Sequence, residues 1–163
     1  MSKSDESARW RREQGNIGSG WVLVTDSGDG RLSQVLLDGR HVLTADEPAA
    51  AGGMDLGPSP YELLLMSLGA CTSMTLRLYA ARKGWPLERV AVRLHHERVH
   101  ATDCENCEDK GAKLDRIDRY IEVDGALDED QRARLLQIAE MCPVHRTLTG
   151  RIDIQTRMVQ AGP

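Results

Sequence analysis

The sequence predicts an α+β fold, with largely antiparallel sheet packed on a long central helix. Three observations carry this. Two stretches, 21–44 and 90–123, alternate apolar and polar residues and are broken by turn residues. One long apolar segment is framed by Ser59-Pro60 before it and Gly84 after it. The predicted order βββ-α-ββ-α-β groups strands in runs, which gives antiparallel rather than parallel sheet.

The first residues, Met1 to Gly15, are polar and charged with a lone Trp10. Residues 1–18 are therefore expected to form a flexible arm and 19–163 a single domain. Trp21 to Thr25, Leu32 to Leu37 and His41 to Thr44 read as a three-strand meander. Ser27-Gly28-Asp29-Gly30 forms the first turn, and Asp38-Gly39 is a strong hairpin signal. Asp46 to Ser59 is rich in Pro, Gly and Ala, lacks periodicity and reads as a long connection. Loops of that length are often functional.

Ser59 caps the next helix, Pro60 suits its first position, and Glu62 completes a capping box with Ser59. The helix runs to Lys83, about 36 Å at ~1.5 Å per residue. Its middle, Leu63 to Met74, is nearly uncharged on every side and is expected to be buried. One small domain can hardly surround such a helix, so a second copy is expected to cover it, and Gly69-Ala70 lets another backbone approach closely. Val90 to His100 and Lys113 to Val123 alternate as strands around a polar tip, Asp103 to Gly111. Asp128 and Gln131 form a second capping box, opening a helix through Met141. Val144 to Thr149 adds a short helical turn after Pro143, and Arg151 to Val159 alternates as a last strand.

Composition narrows the function. The net charge of −4 argues against general nucleic-acid binding. No apolar run is read as long enough to span a bilayer, and no secretory signal is read, so a reducing, cytoplasmic setting is expected. The four cysteines are then core thiols, metal ligands or redox centres. Cys71 lies mid-helix and reads as a buried core thiol or a reactive one. Cys142 precedes Pro143. It reads either as a cysteine that ends a helix or as a thiolate at the cap of the next turn, with His145 and Arg146 adding positive charge. Cys104 and Cys107 form a Cys-x-x-Cys tip between Asp103, Glu105 and Glu108, acidic neighbours that discourage thiolate. They read as surface thiols, as an accessory redox pair, or as a zinc site with His100. His96 and His100 are equally explained by strand alternation.

Two longer motifs go further. Gly57-Pro58-Ser59-Pro60-Tyr61-Glu62-Leu63-Leu64-Leu65, followed by Leu68-Gly69-Ala70-Cys71-Thr72-Ser73-Met74, resembles the central-helix signature of OsmC-like proteins. Leu136 to Arg146, containing Met141-Cys142-Pro143, resembles that family's second Cys-Pro motif. The resemblance covers about residues 20 to 159. It implies an OsmC-like fold in an intertwined homodimer, with an active site at the subunit boundary. It also implies a peroxidase of the oxidative stress response that reduces organic hydroperoxides. Cys71 would be the peroxidatic thiol and Cys142 the resolving one. An external dithiol would reset the pair, and no metal or flavin would be needed. Peroxidase members carry a Glu after the motif's Pro, orienting an activating Arg. Here Tyr61 takes that place and Glu62 follows. The implied catalytic set is Cys71, Cys142, Glu62 and Arg31, with Arg40 the alternative Arg. Tyr61 and Met74 are the expected substrate contacts. A non-catalytic protein binding a small apolar ligand is the competing expectation, drawn from the Tyr61 substitution, and a zinc or redox module at Cys104 and Cys107 is the third.

Overall fold

The fold is described from a computed structural model covering residues 17–100 and 113–159. The arm up to residue 16 and the tip with Cys104 and Cys107 lie outside the described residues, and His100 is described by its strand position only. The chain forms two compact units, the first ending at Leu64 and the second beginning at Leu65.

In the first unit, β1 (Leu23–Asp26), β2 (Gln34–Leu37) and β3 (Val42–Ala45) form an antiparallel meander. Leu37 pairs with Leu23 on one side and Val42 on the other. The turn between β2 and β3 falls at Asp38-Gly39, as its residues predict. Gly39 has φ 89°, and the Asp38 carboxylate accepts the N–H groups of Arg40 and His41 at 2.9 and 2.6 Å. Val35, Leu37 and Ala45 are buried.

The long connection is organised by one side chain. Asp46 is buried, and its carboxylate accepts the N–H groups of Glu47, Met54 and Leu56 at 2.8, 2.9 and 3.3 Å. Burial pushes its pKa up, but the three N–H donors outweigh this and hold it below the usual value. Gly53 is needed in this loop because a Cβ there would sit 1.8 Å from the Glu47 carbonyl oxygen.

Helix α1 spans Pro60–Lys83. Its start is the predicted capping box: Glu62 Oε2 accepts the Ser59 N–H at 2.7 Å and the Ser59 hydroxyl at 2.9 Å, and the Glu62 N–H returns to Ser59 Oγ at 3.4 Å. It stops where predicted, at Gly84 in the left-handed region (φ 66°).

Within the second unit, β4 (Leu87–His100) and β5 (Lys113–Gly125) form a long antiparallel ribbon. Helix α2 (Glu129–Glu140) opens on the Asp128–Gln131 capping box, both halves of which are formed. Helix α3 (Pro143–Leu148) has Cys142 as its N-cap and Pro143 in its first turn. The core joins Leu76 of α1 to Leu127 and to Leu135, Ile138 and Ala139 of α2, with Tyr79, Trp85, Val90, Ile121 and Val123 packed around them.

Two expectations are corrected and one stands. As expected of one small domain, this chain covers only part of the central helix: the stripe Leu68, Thr72, Leu76 and Ala80 is buried, while Met74 and Leu78 are 64% and 68% exposed. A two-strand ribbon and two short helices have surface enough for only one face of α1. The helix is also long and apolar enough, by length and composition, to cross a membrane, contrary to the reading of no such run. Those two properties do not separate a spanning helix from a core helix. Arg77, inside it, donates to the Glu88 carbonyl at 3.1 Å, which ties α1 to β4. Lastly, Arg151 to Val159 is exposed and joins no strand, because alternation alone does not make a strand without an edge to pair with.

Candidate active site

Three elements meet at two thiols. Cys71 lies on α1, one residue before the buried Thr72, and is half-buried. Cys142 lies in the short link between α2 and α3 and is 0% exposed. The structure brings the two together: each sulfur shifts the ionisation of the other, and both cysteines are thiols rather than a disulfide. Gly69, two residues earlier on α1, faces Leu94 of β4, whose Cδ1 would lie 2.9 Å from an added Cβ.

The two thiols are unlike. Burial pushes Cys71 up, the neighbouring Cys142 sulfur adds to the rise, and the Val144 N–H and the Thr75 hydroxyl oppose it without prevailing. Burial also pushes Cys142 up. There the Cys71 thiol, the His145 N–H, the Thr72 hydroxyl and the Val144 N–H outweigh burial, and its pKa falls below the ordinary thiol value. The geometry explains the difference. Cys142 caps α3, where its sulfur accepts the His145 N–H at 3.5 Å, and Thr72 Oγ1 stands 3.9 Å away. Of the two thiols, Cys142 is therefore the readier to ionise.

Sequence reasoning missed two polar residues. Arg119 of β5 donates from one guanidinium nitrogen to Thr72 Oγ1 at 3.1 Å and to the Ala139 carbonyl at 3.2 Å. Thr72 Oγ1 also lies 2.8 Å from the Leu68 carbonyl. Both residues were legible as anomalies of phase. Arg119 shares parity with Ile117, Ile121 and Val123, so it occupies the apolar face of its strand. Thr72 is the one hydroxyl in the Leu68–Leu76–Ala80 stripe.

Beside this cluster the second unit has a crevice of about 400 Å³. Leu68, Ile117, Ile121, Leu136 and Leu148 give it apolar walls; Arg119, His145, Asp115 and Glu140 are its charged or titratable residues.

The other expected site residues are each described within their own element. Arg31 and Arg40 are exposed in the turns of the first unit. Tyr61 and Glu62 are in the first turn of α1, where Glu62 is engaged by Ser59; that contact holds its carboxyl below the usual value. Met74 is exposed on α1. Among the described residues no cluster of three His, Cys, Asp or Glu could hold a metal, and the Cys104 and Cys107 tip lies outside them.

The family model for OsmC-like protein matches residues 52–157, which includes both Cys motifs. The chain belongs to the OsmC-like protein family. A comparison with curated protein sequences finds no match. Among solved structures, this OsmC-like chain is similar to an OsmC-like protein from Mycoplasma pneumoniae, at 22% identity and a TM-score of 0.63, covering 80% of this chain and 86% of that one. It is similar to an organic hydroperoxide resistance protein OsmC from Legionella pneumophila, at 19% identity and a TM-score of 0.57, covering 82% and 90%. It is also similar to the organic hydroperoxide resistance protein OhrB of Bacillus subtilis, at 20% identity and a TM-score of 0.54, covering 82% and 92%. At these identities the likeness establishes the fold, an OsmC-like α+β arrangement of antiparallel sheets and a long helix.

Proposed function

We propose that this OsmC-like protein is a thiol peroxidase that reduces organic hydroperoxides with Cys71 and Cys142. The observation that carries the reading is the adjacency of the two thiols, with buried Cys142 capping α3 and its pKa lowered while that of the more accessible Cys71 is raised. The names of the Legionella and Bacillus structures point the same way.

In this reading Cys71 attacks the distal peroxide oxygen while its proton passes to the Cys142 thiolate. An S–O bond forms and the O–O bond breaks. The alkoxide leaves and takes a proton to become the alcohol, and Cys71 becomes a sulfenic acid. Cys142 sulfur then displaces the hydroxyl, which leaves as water, and a Cys71–Cys142 disulfide closes. Two thiols are oxidised, one peroxide is reduced, and an external dithiol restores the pair by exchange. No metal or flavin enters these steps. A reducing cytoplasmic setting suits this reset. The exposed Met66, Met74 and Leu78 on α1 support assembly as a homodimer, the partner copy covering that face.

The test uses protein carrying Cys104→Ser and Cys107→Ser, so that only the pair reports. One equivalent of cumene hydroperoxide is expected to remove the mass of two hydrogens and give one peptide linking Cys71 to Cys142. A Cys71→Ser variant consuming the peroxide at the parent rate would overturn the proposal. The raised pKa of Cys71 and the apolar crevice favour a second reading, a small-ligand-binding protein without turnover. That reading is selected if the parent binds the hydroperoxide and neither thiol is oxidised.

A further inference from the structure

We infer that Arg119 and Thr72 form a polar relay that positions Cys142, with Arg119 acting on the sulfur through the Thr72 hydroxyl. The inference deepens the peroxidase reading above and rests on it for its catalytic meaning, but it concerns a physical property of Cys142 that is measurable without peroxide.

The case begins with the placement of a cation. Arg119 is half-buried on the apolar face of β5, between Ile117 and Ile121. An arginine in that phase costs desolvation and needs partners. Its two partners, the Thr72 hydroxyl and the Ala139 carbonyl, are both neutral, and among the described residues no carboxylate pairs with it. Its direct contacts are thus both to neutral groups.

Both partners touch Cys142 in turn. The Ala139 carbonyl, which accepts from Arg119 at 3.2 Å, also accepts the Cys142 N–H at 3.4 Å. Thr72 Oγ1, which accepts from Arg119 at 3.1 Å, stands 3.9 Å from the Cys142 sulfur. One guanidinium nitrogen thus fixes the backbone behind the cysteine and the hydroxyl in front of it.

Proton counting gives the relay its direction. A threonine hydroxyl has one proton and two lone pairs. Arg119 occupies a lone pair. The proton then has two acceptors in reach, the Leu68 carbonyl at 2.8 Å and the Cys142 sulfur. With neutral Cys142 the nearer carbonyl wins. When charge develops on the sulfur, rotation about one bond turns the proton toward it, and the Arg119 donor polarises that O–H further. The relay responds to the charge it stabilises.

The charged and titratable groups at this site are Cys71 of α1, Asp115 and Arg119 of β5, Glu140 at the end of α2, and His145 of α3, and all but Cys71 line the crevice. A pH profile of activity alone would mix them. The readout is instead the thiolate absorbance near 240 nm in a parent with Cys71→Ser, Cys104→Ser and Cys107→Ser, where Cys142 is the sole thiol. Absorbance needs no reagent to reach a buried sulfur.

Arg119→Gln and Thr72→Val are each expected to raise the Cys142 midpoint by about one unit, the scale of a lost donor or nearby charge. Thr72→Ser should restore it. With Cys71 present, the same two variants should slow peroxide consumption by up to about tenfold, the change in thiolate population that one unit gives below the midpoint, and the loss should shrink at higher pH. Thr72→Ala serves as the hydroxyl deletion if Thr72→Val does not fold. An unchanged midpoint in Arg119→Gln overturns the inference. A shift in Arg119→Gln with none in the hydroxyl deletions overturns the relay, because Arg119 then acts on the sulfur directly. If the midpoints shift as expected while the unsubstituted protein consumes no hydroperoxide, the relay stands and the peroxidase proposal fails.

Discussion

Deleting either thiol should move the other one's titration, and the two movements should have opposite signs. In Cys71→Ala the Cys142 thiolate loses the largest of the contacts that lower its pKa, the S–H of Cys71. A hydrogen bond to a charged group contributes about 1.5–3 kcal/mol, and one pKa unit corresponds to ~1.36 kcal/mol. The ceiling is therefore about two units upward. Cys71 is only half-buried, so water takes over part of its role, and a rise of about one unit is expected. In Cys142→Ala the sulfur that disfavoured charge on Cys71 is gone, and Cys71 should fall. The fall should be the smaller movement, because burial, the first cause of the rise in Cys71, remains. Both variants are read by thiolate absorbance against pH with Cys104 and Cys107 replaced. Movement of both thiols in the same direction, or of neither, would refute the assignment of the charge to Cys142.

Other predictions concern stability. Leu76 is 0% exposed at the centre of the second unit's core, so Leu76→Ala should cost about 2–5 kcal/mol, read as a lower denaturation midpoint in urea. Asp46→Ala strands three backbone N–H groups; a loss of about 2–4 kcal/mol is expected, while Asp46→Asn keeps a carbonyl acceptor and should lose less. Asp38, Asp46, Glu62 and Asp115 all have folded pKa values held below their ordinary 3.8 or 4.5. Their contribution is complete above about pH 5 and is lost as pH falls through the lower folded values, so Tm should drop below about pH 4. A Tm unchanged down to pH 2.5 would contradict this sign.

The parts of the fold that local chemistry dictates were legible in the sequence. The helix from Pro60 to Lys83 is bounded by a capping box and a left-handed glycine, both short-range devices. The Asp38-Gly39 hairpin and the Asp128–Gln131 cap are of the same kind. What was not legible depends on partners distant in sequence. Alternation over Arg151 to Val159 matched a strand, but pairing needs an edge, which no periodicity supplies. The apolar girth of α1 did not say which face this chain covers, because that depends on where the other elements pack. The cysteine pair was suggested by motif, yet the bonds around it come from residues 70 positions away, as Thr72 is from Cys142. Arg119 was visible only as a charge in the wrong phase.

That last point bears on how such a pair can be activated. The family pattern places a carboxylate after the motif's proline to orient an arginine. In this chain Tyr61 stands there, and Glu62 Oε2 accepts both the N–H and the hydroxyl of Ser59. An oxygen committed to a helix cap is poorly placed to orient a cation as well. A thiolate in a sheltered site still needs donors, because burial alone pushes both thiols up. The donors that Cys142 has are the His145 N–H, the Cys71 S–H and the Thr72 hydroxyl backed by Arg119, all within the second unit. None of these donors is Arg31, Arg40 or Glu62. Substituting any of those three should leave the Cys142 titration where it is, and a shift of a full unit in Glu62→Gln would return the family's carboxylate to the centre of the argument.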